Sequence, residues 1–403
     1  MSKKKPMVLK NVNRFSILNY IRRNRFTTKA AIAAESGLSF MAVQNIIGEL
    51  ESAGLVRQAS LEGGRLGRKS ATYIINEKYA YTLGLHINMF ETKAALLNLK
   101  GDILGIKNLP MEGIGDDTAQ FIELISDMIN SLINENDLNG GKILGLGIGT
   151  PGPVNIEDDR ILSPPNMKML RYLPFRRMME DRIGIPVILH RDANAIAMGE
   201  YWCGAGFGYN NMVYIDADMG IGCGLVFDSE LLVGKNYVAG EFGHITIAPM
   251  GPVCNCGKQG CLEAVGSGIS VVRDFDERIK KSPEHPLYAE IGKINIQQIM
   301  KLGNEHDLLA ISVLNEAAHN MGIAIVNLIN ILDPDIIIMG GILTTRYDEY
   351  LEIVKEVVIS NRLNRNSENL IVKTANGDNA GIIGAGEIVV DHFFKSLVGQ
   401  ELC

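Results

Sequence analysis

At the start of the chain, apolar side chains recur at helical spacing. Phe15, Ile17, Leu18 and Ile21 lie on one stripe and predict a helix over Asn13–Arg23. Thr28 is placed to cap a second helix, Lys29–Ser36, which Gly37 breaks. Ser39 then caps a third helix running to about Ser52, with Val43, Ile46, Ile47 and Leu50 facing inward and Ala42, Gln44, Asn45 and Glu49 facing elsewhere. Ala53-Gly54-Leu55-Val56 opens a strand, Gly63 to Lys69 forms a glycine-rich tip, and Thr72–Ile75 returns. Helix, glycine-containing turn, helix and hairpin is the plan of a winged helix-turn-helix, whose second helix of the pair enters the major groove.

Beyond Asn76 the pattern becomes that of strands alternating with helices. Tyr81–Ile87, Thr92–Asn98 and Ile103–Leu109 read as a meander, turned at Lys100-Gly101-Asp102. A helix, Thr118–Asn134, leads to a buried strand, Ile143–Ile148, and Pro186–Leu189 is a further strand before a helix that begins near Ala193. A second set follows: strands at Met212–Ile215, Gly224–Phe227 and Ile245–Ile247, the long helix Leu308–Leu332 and the strand Ile336–Met339. Two such sets in series predict a duplicated α/β fold with a ligand cleft between its halves. The expected division is residues 1–76 for the winged domain and 77–403 for a two-lobed effector domain.

Composition changes this picture in three ways. The 403 residues are 46% hydrophobic and 21% charged, which suits two or three packed domains. No run of about 18 apolar residues predicts a membrane span, and Met1–Lys10 is basic without an apolar segment behind it, so a cytoplasmic protein is expected. The net charge of −7 is uneven: through Ile75 thirteen basic residues face four acidic ones, leaving the remainder at −16. A basic domain on an acidic body fits a phosphate-binding module joined to a module for something other than nucleic acid; a solvated basic face, or a protein-docking domain with a basic hairpin, is the competing reading.

In the winged domain, Gln44 and Asn45 have the amides that pair with adenine edges, beside Ser39 and Ala42 near the start of the third helix. Arg65, Arg68 and Lys69 in the glycine-rich tip suit phosphates or the minor groove. Further along, Cys254, Cys256 and Cys261 crowd together, which in a reducing compartment suggests a metal site, with three buried reduced thiols as the alternative.

The stretches Glu241-Phe242-Gly243-His244 and Cys254-Asn255-Cys256-Gly257-Lys258-Gln259-Gly260-Cys261-Leu262-Glu263 resemble the motifs of the ROK family of repressors and sugar kinases. Gly149-Thr150-Pro151-Gly152-Pro153, Asp192-Ala193-Asn194-Ala195 and Asp333-Pro334 leading to Gly340-Gly341 support the resemblance, which covers nearly the whole chain. It implies an α/β fold of the duplicated, actin-like and ribonuclease-H-like kind behind the winged helix-turn-helix. It implies a zinc ion held by His244, Cys254, Cys256 and Cys261, a closed and therefore structural shell. It places sugar contacts at Asn166, Arg191, Asp192, Glu241, His244 and Glu263, with Asp192 at the kinase-base position. Arg191 departs from the family's usual Asn or Glu: it cannot accept hydrogen bonds, and either forms a salt bridge or admits an acidic or phosphorylated sugar. Met167, Lys168 and Met169 replace the usual aromatic lining beside Asn166.

The phosphate loops depart further. Where the family's kinases carry an acid and a Gly-Gly-Thr turn, this chain has His86 and Met89-Phe90-Glu91; where they carry Gly-Thr-Gly, it has Asp218-Met219-Gly220. Bulky side chains and added carboxylates oppose phosphate binding. The expectation is a sugar-responsive transcriptional regulator, a repressor of carbohydrate-utilisation genes, binding palindromic operator DNA as a homodimer or higher homo-oligomer and lacking enzyme activity. The alternative is an ATP-dependent sugar kinase with an accessory DNA-binding domain.

Overall fold

The computed structural model describes residues 6–59, 71–138, 140–162, 164, 167–363 and 370–397, with side chains from residue 12 onward. The chain forms two compact units, residues 1–191 with 381–403, and residues 192–380.

The first unit opens with α1 (Pro6–Asn24), β1 (Thr27–Thr28), α2 (Lys29–Ser36), α3 (Phe40–Ser52), β2 (Val56–Gln58) and β3 (Thr72–Ile75). The helix bounds follow from local chemistry. Thr28 Oγ1 accepts from the Ala31 N–H and Ser39 Oγ from the Ala42 N–H, each satisfying a donor that the first turn leaves open. Gly37 ends α2 with φ 66°, a left-handed conformation that glycine adopts freely. The three short strands pair antiparallel in the order β1-β3-β2. The wing tip, with Arg65, Arg68 and Lys69, lies outside the described residues.

The same unit continues through β4 (Ala80–Ile87), β5 (Glu91–Asn98), β6 (Ile103–Pro110), α4 (Thr118–Glu135), β7 (Lys142–Thr150), β8 (Val154–Asn155), β9 (Arg160–Ile161), α5 (Phe175–Ile183) and β10 (Val187–Arg191). Its five-stranded sheet has the order β10-β7-β4-β5-β6, with an antiparallel meander on one side and two parallel strands on the other. Phe121, Ile125 and Ile129 of α4 pack on Leu83, Leu85, Leu96 and Leu146.

The second unit comprises α6 (Asp192–Cys203), β11 (Met212–Ala217), β12 (Ile221–Phe227), β13 (Glu230–Leu231), α7 (Leu262–Gly266), α8 (Gly268–Ile279), α9 (Ile296–Asn304), α10 (Leu308–Leu332), β14 (Ile336–Gly340), α11 (Ile342–Arg346), α12 (Tyr350–Asn361) and β15 (Ile371–Lys373). Its sheet, β13-β12-β11-β14-β15, repeats the first: a meander whose opening strand is central, then two parallel strands beyond it. The two sheets share one connectivity, which is the expected duplication. One strand differs from expectation. The third meander strand is Glu230–Leu231, and Ile245–Ile247 lies outside the sheet, its centre bridged instead from Thr246 to Cys261. Helix α10 has the length and composition of a membrane span, yet 56% of its most apolar 18-residue stretch is buried, and its side chains line this unit's core.

The chain then returns to the first unit as α13 (Ala380–Ser396). Its start lies on the sheet: a Cβ at Gly84 or Gly147 would sit 1.9 or 1.8 Å from the carbonyl oxygens of Ile382 and Ala385, so glycine is what lets the helix approach β4 and β7 so closely. Its far half belongs to the winged domain. Val390, Phe394 and Leu397 share a core with Ile17, Ile21, Ile32, Ile47 and Leu50. Arg22 of α1 pairs with Glu387 at 7% and 2% side-chain exposure, and the Arg22 guanidinium lies 5.7 Å from the centre of the Phe394 ring.

Removing one partner of a buried ion pair strands the other charge. Glu387→Ala is therefore expected to cost about 3–5 kcal/mol. The double change Arg22→Met with Glu387→Leu should recover most of that loss. Guanidinium-induced unfolding, monitored by a probe in the winged domain, measures both.

Candidate functional site

Four potential metal ligands converge in the second unit. A 3-10 turn, Phe242–His244, presents the imidazole. The segment after it pairs with the residues around Cys261: Ile247 and Ala248 donate to the Gly260 carbonyl, and Leu262 donates to that of Ile245. Gly257 and Gly260, at φ 87° and 72°, fold the intervening loop back; a Cβ at Gly260 would lie 1.7 Å from the Ala248 oxygen. The ligand atoms of His244, Cys254, Cys256 and Cys261 all fall within 4.8 Å of one another. Cys256 Sγ is 3.7 Å from Cys261 Sγ, and His244 Nδ1 is 3.7 Å from Cys254 Sγ. Tetrahedral zinc with metal–sulfur bonds of about 2.3 Å places two sulfurs about 3.8 Å apart, so the donor set and its spacing fit that ion. Burial pushes the Cys254 thiol up to about 12, so a metal entering here must displace a proton.

Several residues expected to contact a sugar adjoin this cluster. Nε2 of His244 faces Glu241 Oε2 at 3.8 Å, opposite the side turned to the thiols. Glu263, in the first turn of α7, places Oε1 3.8 Å from Cys254 Sγ and accepts from the Ile221 N–H through Oε2 at 3.1 Å. Asp192 opens α6 and accepts from the Ala193 N–H at 2.7 Å. Arg191 is the last residue of β10 in the first unit, buried against Gly152. Asn166 lies outside the described residues. The structure thus gathers Glu241, His244 and Glu263, all in the second unit, around the thiols.

In both loops that the resemblance sets against the kinases' phosphate loops, backbone donors are taken up from within. Between β4 and β5, the N–H groups of Phe90 and Glu91 donate to Asn88 Oδ1 at 2.8 and 2.9 Å. In the second unit, Asp218 accepts from the Met219 N–H at 2.6 Å and from the Ile342 N–H, at the head of α11, at 3.2 Å. The Asp218 carboxylate thus holds two backbone donors, one from its own loop and one from the head of α11. Burial raises the Asp218 pKa, with Asp378 adding to it. The strand before it carries Asp216, likewise raised by burial and then by Asp218 and Asp192, and hydrogen-bonded by the Tyr214 hydroxyl at 3.0 Å. Sequence reasoning passed over Asp216, although its spacing of two from Asp218 puts both on one face of a strand end. It also passed over Asn88, and Glu200 on α6, which accepts from Ala205, Thr374, Ala375 and Asn376 and clasps two loops together.

On α3, Ser39, Gln44 and Asn45 are exposed and Ala42 half-buried. Phe40 and Met41, which sequence reasoning did not single out, are exposed there as well.

A model of the ROK family matches residues 82–392, and a model of winged helix-turn-helix DNA-binding domains matches residues 10–57. The chain is 27% identical over 386 residues to the xylose repressor of Caldicellulosiruptor bescii, covering 95% of this chain and 96% of that one. It is 32% identical over 312 residues to a glucokinase of Halalkalibacterium halodurans, covering 76% and 94%. The crystal structure of a ROK family transcriptional regulator, a homologue of the E. coli MLC protein, superposes with a TM-score of 0.78 at 24% identity, covering 97% of this chain and 99% of that one.

Two imidazoles set a pH dependence. Burial, reinforced by Lys93, holds His86 down at about 4, and burial with Arg191 does the same to His190. Both are neutral in the folded chain and protonate more readily when unfolded. Their stabilisation is present above the ordinary histidine value of about 6.5 and is lost as pH falls toward 4. Unfolding free energy measured across that window should fall with acidification, and His86→Asn should shallow the slope by up to one proton. An unchanged slope would contradict a buried neutral His86.

Proposed function

The chain belongs to the ROK family, and on that premise we propose that it is a sugar-responsive transcriptional regulator, a repressor of carbohydrate-utilisation genes. It binds operator DNA through α3 and the wing, and a monosaccharide through Asn166, Arg191, Asp192, Glu241, His244 and Glu263. The observation that carries this reading is the internal occupation of both phosphate loops in a chain headed by a winged helix-turn-helix. A kinase keeps such donors open for nucleotide phosphates. Relatives named xylose repressors, aligned over almost their full length, support the same reading and make xylose the first effector to test. Sugar phosphates belong in the same panel, because Arg191 favours anions.

Zinc is the metal proposed for His244, Cys254, Cys256 and Cys261. When bound it supplies a closed structural shell. His244 and Glu263 then adjoin both metal and sugar, so the loop that the ion orders also positions the effector. The working form is a homodimer in the cytoplasm, matched to a palindromic operator. The second reading, a kinase, rests on the retained Asp192 and on the glucokinase relatives.

Arg65→Ala with Arg68→Ala should weaken binding to every DNA sequence and lower the salt dependence by about two charges, whereas Gln44→Ala should shift sequence preference. Wild-type binding independent of salt would contradict the reading. With ATP, magnesium and a sugar panel, turnover of about 1 per second or faster would establish the kinase instead. Cys256→Ser should lose its zinc and its sugar response while retaining part of its DNA affinity. Glu263→Gln should keep zinc and lose the response. Metal analysis with operator titrations separates these outcomes, and an undiminished response in metal-free protein would contradict the coupling.

A further inference from the structure

The outward face of α3 carries two features that no contact among the described residues explains. Val43, Ile46, Ile47 and Leu50 form the buried stripe. Met41, Asn45 and Gly48, at i, i+4 and i+7, form the opposite one. Met41 is 65% exposed and its neighbour Phe40 54%, at the end of the helix where a winged domain meets base edges. Gly48 stands mid-helix, where glycine is the poorest choice after proline. Its φ is not left-handed, and an added Cβ would meet open space. Neither a turn nor internal packing therefore accounts for the missing side chain.

The charges around this face suit a polyanion. Glu49 is turned aside into a pairing with Arg14, Glu51 bonds Gln58, and the neighbouring α1–α2 segment carries Arg23, Arg25 and Lys29. Thymine's C5-methyl is the apolar group on a major-groove edge. Glycine on a contact face allows a backbone to approach closely.

Building on the DNA-binding reading above, we propose that Met41 packs against a thymine methyl in the major groove and that Gly48 is the point of closest approach between α3 and the DNA. The two residues thus extend the contact set of Gln44 and Asn45, with Met41 a specificity determinant through shape and apolar contact rather than hydrogen bonding.

The test uses the full chain and a duplex that the wild type selects from a random-sequence pool. Each thymine is replaced in turn by deoxyuridine, which removes the methyl and leaves every hydrogen-bonding group. At one position in each half-site, the loss should be about fourfold, the value of one buried methyl group. Met41→Ala should suffer the same loss with thymine and become indifferent to deoxyuridine there. Gly48→Ala should melt at the same temperature or higher yet bind about tenfold more weakly, a loss comparable to a mismatched base pair. These opposed changes separate a contact role from a structural one. Wild-type affinity unchanged by every deoxyuridine overturns the thymine contact, and unchanged affinity in Gly48→Ala overturns the close approach. If both variants bind DNA normally but lose self-association, the face is a protein interface and the proposal fails. Failure to select any duplex overturns the DNA-binding reading itself.

Discussion

The winged domain is completed by a helix from the other end of the sequence. A domain of its size buries a small share of its surface and has little stability to spare. Here Val390, Phe394 and Leu397 fill its core from α13, and the Arg22–Glu387 pair fixes the orientation of that helix. The same helix begins pressed on the glycines of β4 and β7. A single rigid element thus touches both the central sheet of the first unit and the hydrophobic centre of the DNA-binding fold. The acid at position 387 has meaning only with Arg22 in place, and Gly84 and Gly147 only with α13 above them.

A second constraint is the satisfaction of backbone donors. A loop that receives phosphate holds N–H groups open toward solvent, and these are costly to bury unpaired. In this chain the donors beside Asn88 and Asp218 have partners within the protein. Asn88 and Asp218 thus fix the local course of their loops from within, with no need of an outside partner for these donors. Asp218 carries a cost in return. Burial raises its pKa, with Asp378 adding to the rise, and Asp218 in turn adds, with Asp192, to the rise that burial imposes on Asp216.

Local chemistry explains which parts were legible in the sequence. The bounds of α2 and α3 follow from Thr28, Ser39 and Gly37, and α10 from its unbroken periodicity; all three emerge where the pattern puts them. The duplicated meanders were legible because each strand alternates or is continuously apolar between turn residues. Ile245–Ile247 misled because an apolar triplet looks the same whether it joins a sheet or braces a cysteine loop, and only the long-range bridge from Thr246 to Cys261 decides. The gathering of His244 with the thiols was legible as a motif, but the facing of its second nitrogen toward Glu241 was not. Nothing local marks Glu387 as the partner of Arg22, since the two are brought together by tertiary packing alone.

The placement of α13 also has a consequence in time. Nearly the entire chain is synthesised between α1 and the helix that closes its core. At about 5–20 residues per second, that interval is on the order of tens of seconds. The winged domain therefore leaves the ribosome well before α13 and gains its full core only once residues 77–380 have been made. A message broken before α13 yields a winged domain without Val390, Phe394 or Leu397, so incomplete translation products are poorly equipped to compete with whole molecules for an operator.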